Sequence, residues 1–136
     1  MNIALVAQDA KKELMVRFCI AYCGVLSRHK LCSTAATGKL VSESTGLVIT
    51  TFLGSTQGGC EQITSRISYG EIDMLLFFRD ATRPDLMGDT ENNVLRICDH
   101  HTIPYATNLA TAEVLIHGLE RGDLDWRKVG RPVIGG

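Results

Sequence analysis

Five short apolar runs recur along the chain, and each leads into a polar turn and then a segment with helical spacing. The runs are "NIALVA" at 2–7, "KLCSTA" at 30–35, "LVITTFL" at 47–53, "IDMLLFFRD" at 72–80 and "IPYATN" at 103–108. None alternates strictly between apolar and polar residues, and continuous runs of this kind suit strands covered on both faces. Helical spacing follows from Lys11 to about Ser27, at 37–46 with Gly46 as its stop, and at 60–70, 91–101 and 109–123. Residues 81–90 read as a loop, and 124–136 read as irregular. Strands that alternate with helices specify the α/β class, with a parallel sheet and helices on both faces. A chain of 136 residues, 45% of them hydrophobic, suffices for one core and one domain.

Composition removes several classes of function. The formal net charge is −1, with acids and bases mixed along the chain, so no large basic surface for nucleic acid is expected. No apolar run approaches the roughly 20 residues of a membrane span, so no membrane partner is expected either. The opening "MNIALVAQDAKK" reads as a strand and a helix start, without the basic-then-apolar order of a signal peptide. Five cysteines, an odd number without framework spacing, suit a reducing compartment and a cytoplasmic location. Cys19 and Cys23 are four apart and share a helix face, but nothing at ligand spacing joins them, so packing in the core is expected.

In parallel sheets the ligand lies outside the carboxyl ends of the strands. There the sequence places Gln8, Asp9 and Lys12; Ser33, Thr34, Ala36 and Thr37; Gly54 and Ser55; Arg79 and Asp80; and Thr107, Asn108 and Thr111. Hydroxyls, amides, backbone N–H groups and a lysine describe a site for a small anion, most simply a phosphate. The stretch "GSTQGGCEQ" at 54–62 is either part of that cradle or an ordinary strand-to-helix turn. Its Cys60 has three readings: a small half-buried filler, a reactive thiol activated by the helix N-terminus, or a base. Asp80 contacts ligand or caps its own loop. Asn108 and Thr111 cap the last helix or contact ligand. His100 and His101, at a helix C-terminus, suit a charge–dipole or solvated role.

With these residues in view, the segments "IALVAQDAKK", "STAATGKLVSESTG", "GSTQGGCEQ", "IDMLLFFRD" and "IPYATNLATAE" resemble the methylglyoxal synthase family in order and spacing over about residues 2–116. The resemblance implies a single three-layer α/β/α domain with a five-stranded parallel sheet, over 1–121, with an irregular tail at 122–136. It further implies a homo-oligomer, a hexamer by resemblance, and a reaction without metal or cofactor. That reaction converts dihydroxyacetone phosphate to methylglyoxal and phosphate. A carboxylate takes a proton from the hydroxymethyl carbon, and the enediolate expels phosphate.

By the same resemblance, Lys12 meets the phosphate, and Thr34 and Thr37 match two of the three hydroxyls in the family's "TGTTG", with Ala36 at the third. Gly58 and Gly59 are kept, while Ser55 stands at the usual glycine of "SGP". Asp9 and Asp80 match acidic positions. Cys60 stands where the family's "GGD" has its catalytic aspartate. Gln8 precedes Asp9 where the family has "HD", and Met87 and Thr90 fall where it has a histidine and an aspartate. Glu61 is the nearest carboxylate to the family base, about 100° further round the helix. The candidate catalytic set is therefore Cys60, Glu61, Asp9 and Asp80; the candidate phosphate-binding set is Lys12, Thr34, Thr37, Ser55, Gly58 and Gly59. Two function classes follow: a lyase acting on a small phosphorylated metabolite, and a non-catalytic phosphate-binding or regulatory module that acts through oligomerisation or a partner.

Overall fold

The computed structural model describes residues 1–129. Five strands, β1 (Asn2–Ala7), β2 (Lys30–Ser33), β3 (Ile49–Thr51), β4 (Met74–Phe78) and β5 (Tyr105–Ala106), form one sheet in the order β3-β2-β1-β4-β5. Every neighbouring pair is parallel. The helices are α1 (Lys12–Ala21), α2 (Cys23–Leu26), α3 (Ala35–Thr45), α4 (Gly59–Ser68), α5 (Asp89–His100), α6 (Leu109–Arg121) and α7 (Trp126–Val129).

The continuous apolar runs are explained by burial on both faces. Ile3, Leu5 and Ala7 of β1 and Met74, Leu76 and Phe78 of β4 join one cluster, with Met15 and Phe18 of α1, Val41 of α3 and Ile116 of α6. The alternate residues Ala4, Val6, Leu75 and Phe77 join the second, with Cys60, Ile63 and Ile67 of α4 and Val94 and Cys98 of α5. The result is the three-layer α/β/α arrangement expected for this chain. Cys19 is fully buried in the first cluster, and Cys23 packs against it.

Several boundaries move. The helix expected from Lys11 to Ser27 is broken at Tyr22, whose ring stays 4.9 Å from that of Phe18 while the chain turns into α2 and buries Leu26. The second strand ends at Ser33, and α3 begins at Ala35 rather than 37, because Thr34 is extended (ψ 157°) and serves as the N-cap. The third and fifth strands shorten to three and two residues. Within the tail expected to be irregular, Trp126–Val129 forms a helical turn, and Arg127 Nη1 donates to the Thr102 carbonyl at 2.6 Å. The rest of that tail, from 130, lies outside the described residues. No helix among the described residues is long and apolar enough to cross a membrane.

The strand order positions the site. The chain runs outward from β1 to β2 and β3, then returns across the sheet to β4 and β5. The order reverses between β1 and β4, and the crevice at such a reversal is where open α/β sheets bind ligands. Gln8 and Asp9 leave β1 there, beside Arg79 and Asp80, which leave β4.

Candidate functional site

The first turn of α3 supplies the groups suited to an anion. Thr34 is its N-cap, the Ala35 N–H donates to the Leu53 carbonyl at 3.3 Å, and the Gly38 N–H donates to the Thr34 carbonyl at 2.9 Å. Among the described residues, no backbone bond takes the N–H of Ala36 or of Thr37. The Thr37 side chain lies in the same turn. Its residue is 1% exposed, and its Oγ1 is buried without a hydrogen-bond partner. A buried hydroxyl left so costs about 1–3 kcal/mol, and two open N–H groups at the positive end of a helix complete a local demand for an acceptor.

Lys12 opens at the same edge. Leu5 pairs with Ser33, so the ends of β1 and β2 lie side by side. Lys12, in the first turn of α1, folds its largely covered side chain back over the end of β1. Its Nζ donates to the Ala7 carbonyl at 3.1 Å and to Asp9 Oδ1 at 2.6 Å. Asp9 is almost fully exposed, and its hydrogen bond and charge pairing with Lys12 hold its carboxyl below the usual range. The ammonium thus has an exposed and replaceable partner.

The "GSTQGGCEQ" loop is a tightly bonded turn between β3 and α4. Ser55–Gln57 make one 3-10 turn, with Ser55 exposed. The N–H groups of Gln57 and Gly59 both donate to the Gly54 carbonyl, at 2.9 and 3.0 Å. Gln62 Oε1 accepts from the Leu53 N–H at 2.8 Å. Gly58 has φ +102°, the left-handed region that glycine tolerates.

Cys60 does not take the electropositive position expected of it. It is fully buried within the second apolar cluster, and burial pushes its thiol up to about 11, with Glu91 and Glu61 adding to the shift. The desolvation of a thiolate outweighs the helix N-terminus here. Mass-mapped alkylation at pH 8 should therefore label Cys60 at least roughly a hundredfold more slowly than a free thiol, from the thiolate fraction alone. Labelling at the rate of an exposed cysteine would overturn this account.

The three carboxylates have different partners: Asp9 pairs with Lys12, Glu61 with Thr90 and Asp80 with Thr82. Glu61 projects from α4 into solvent, where Thr90 Oγ1 donates to its Oε1 at 3.3 Å. Asp80 is half-buried and accepts from the Thr82 N–H at 3.0 Å and the Thr82 hydroxyl at 2.6 Å, both at Oδ1. Those two bonds, then Lys11 and Arg83, lower its pKa. Asn108 accepts from the Thr111 N–H at 3.1 Å and so caps α6. His100 and His101 close α5.

Gln8 stands among the polar residues that the sequence places at the strand ends, but in neither the catalytic nor the phosphate-binding set. Gln8 reaches from β1 to the loop after β4: its Oε1 accepts from the Asp80 N–H at 2.6 Å, and its Nε2 lies 3.2 Å from Met87 Sδ. The two positions where the resemblance implies histidines are in contact.

A parallel α/β/α sheet with polar groups gathered at its reversal, and an open helix N-terminus at the edge where Lys12 lies, is an α/β domain with a site suited to a small anion. No family model matches the chain. Its relatives are explicit. The methylglyoxal synthase of Caldicellulosiruptor saccharolyticus is 52% identical over 132 residues, 97% of this chain and 94% of that protein. That of Oceanobacillus iheyensis is 48% identical over 129 residues, 95% of this chain and 92% of that protein. The crystal structure of methylglyoxal synthase from Elizabethkingia anophelis superposes with a TM-score of 0.80 at 27% identity, covering 99% of this chain and 93% of that one. The chain belongs to the methylglyoxal synthase family.

Proposed function

We propose that this protein is a methylglyoxal-synthase-type lyase that binds dihydroxyacetone phosphate with its phosphate against α3 and its triose over the β1/β4 crevice. The observation that carries the reading is the buried, unpartnered Thr37 hydroxyl in a helix turn whose Ala36 and Thr37 N–H groups are also open. A phosphate dianion offers acceptors to all three groups and to Lys12. Thr34 lies in the same turn, and Gly58 and Gly59 keep the β3–α4 loop close to it.

The chemistry needs one base and a leaving group held in place. A carboxylate takes a proton from the hydroxymethyl carbon, and the electrons form the enediolate. The bond from the methylene carbon to the phosphate oxygen then breaks, and its electron pair leaves with phosphate. The resulting enol gains a proton at the methylene carbon and gives up its hydroxyl proton, which leaves methylglyoxal. Cys60, buried and protonated at neutral pH, is set aside as the base. Asp80 is favoured over Asp9 and Glu61. It is half-buried at the reversal, and Thr82 orients it through Oδ1 alone, whereas Asp9 and Glu61 stand exposed in solvent. Removing a general base costs about 10²–10⁴ in rate. Asp80→Asn keeps the acceptor for Thr82 and should lose turnover by that factor.

The test is formation of methylglyoxal from dihydroxyacetone phosphate by the purified protein, with Thr37→Val beside it. Valine removes an unsatisfied hydroxyl, so the free variant should gain about 1 kcal/mol in stability, while its affinity for phosphate should fall about tenfold. These opposite signs separate a ligand group from a structural one. No methylglyoxal above background, with phosphate still raising the melting temperature, would overturn the lyase and leave the anion site.

A further inference from the structure

Residues 80–88 carry Asp80 and Met87 and are almost wholly exposed between those two half-buried ends. Most of the bonds in this loop are its own. The Arg83, Leu86 and Met87 N–H groups donate to the Asp80, Arg83 and Pro84 carbonyls, and Arg83 pairs with Asp85 at 2.9 Å. A loop bonded mainly to itself can move as a body unless something outside fastens it.

From across the reversal, that fastening comes from one side chain. Gln8 extends the β1–β4 ladder by one step, its N–H donating to the Phe78 carbonyl at 3.0 Å. Its amide then grips the loop at both ends. Oε1 accepts from the Asp80 N–H at 2.6 Å, while Nε2 faces Met87 Sδ at 3.2 Å and the Leu86 carbonyl at 3.5 Å. On the other side, Asn92 Nδ2 reaches the Met87 carbonyl at 3.5 Å. The two residues that Gln8 holds, Asp80 and Met87, line a pocket of about 300 Å³ together with Arg79, Ala81, Pro84 and Asn92. A neutral amide suits this task, because it supplies an acceptor to one end of the loop and a donor to the other at any pH.

We infer that Gln8 is a positioning residue, whose amide locks the 80–88 loop against the end of β1 and so fixes the wall that meets the triose end of the substrate. The inference rests on the phosphoester reading above for the identity of that substrate, but the anchoring itself does not.

Hydrogen exchange on wild type, Gln8→Ala and Gln8→Glu reads the anchoring directly. Peptides over 80–88 should exchange about tenfold faster in Gln8→Ala, the scale of one net hydrogen bond, with β1 and β4 unchanged. Gln8→Glu keeps the acceptor for the Asp80 N–H and loses the donor, so it should fall between. In calorimetric titrations of Gln8→Ala, the affinity for dihydroxyacetone phosphate should fall about tenfold and that for inorganic phosphate should stay within about twofold, since Lys12 and Thr37 are untouched. Unchanged exchange in 80–88, or equal losses for both ligands, would overturn the inference. Wild type that binds neither ligand would sink the phosphoester reading instead, with the exchange result still deciding whether Gln8 anchors the loop.

Discussion

Lys12→Ala is expected to weaken binding of inorganic phosphate and of dihydroxyacetone phosphate alike, by about 10- to 100-fold. A hydrogen bond to a charged group contributes about 1.5–3 kcal/mol, and each 1.4 kcal/mol is a factor of about ten. The position of the ammonium makes the upper part of that range reasonable. Its stem is largely covered, so it has little freedom to lose on binding, and the Ala7 carbonyl already aims it at the edge of the sheet. Its partner Asp9 is almost fully exposed, so the ion pair itself contributes little to stability. The variant should fold as wild type does, but it leaves Asp9 unpaired beside the incoming anion. The double variant Lys12→Ala/Asp9→Asn should accordingly recover part of the loss. Calorimetric titration with both ligands checks this; undiminished affinity in Lys12→Ala would remove the lysine from the site.

The architecture is legible in the sequence because burial writes itself into composition. Strands covered on both faces leave continuous apolar runs, and the two clusters divide those runs residue by residue. What stays hidden are effects that depend on where a helix is pressed. The place of Cys60 at a helix start suggests an activated thiol, yet Cys60, Ile63 and Ile67 fall at i, i+3 and i+7, the spacing of a buried stripe. That stripe is the available signal that the thiol faces the core and that Glu61, the next residue, faces out. The break at Tyr22 has no proline to announce it. The Gln8 clamp has no local signature at all, because its partners lie 72 and 79 residues away and are brought together only by the return across the sheet. The polar residues of the site are legible as a set of strand ends, whereas their division into partnered carboxylates, an open helix turn and a fastened loop requires the fold.

Gly59→Ala is expected to be the most damaging single methyl in the protein's site region. A Cβ there would collide with the Leu53 carbonyl oxygen and stand 3.0 Å from the Gly54 carbonyl oxygen. Both are backbone, and neither is free to yield. The Gly54 carbonyl already accepts from the N–H groups of Gln57 and of Gly59 itself, and the Leu53 carbonyl accepts from the Ala35 N–H at the start of α3. Overpacking of this kind costs about 1–3 kcal/mol and sometimes more, and here it also displaces the turn packed against the start of α3, where the phosphate is proposed to bind. Gly58→Ala is the control. That glycine has φ +102°, but its added Cβ meets nothing closer than Leu53 Cδ1 at 3.7 Å. It should cost only the left-handed penalty of about 1–2 kcal/mol, with a smaller effect on phosphate affinity. Urea denaturation of the two variants decides the matter. If Gly59→Ala proves no less stable than Gly58→Ala, the close approach of the β3–α4 loop to the start of α3 is not what holds the anion site in shape.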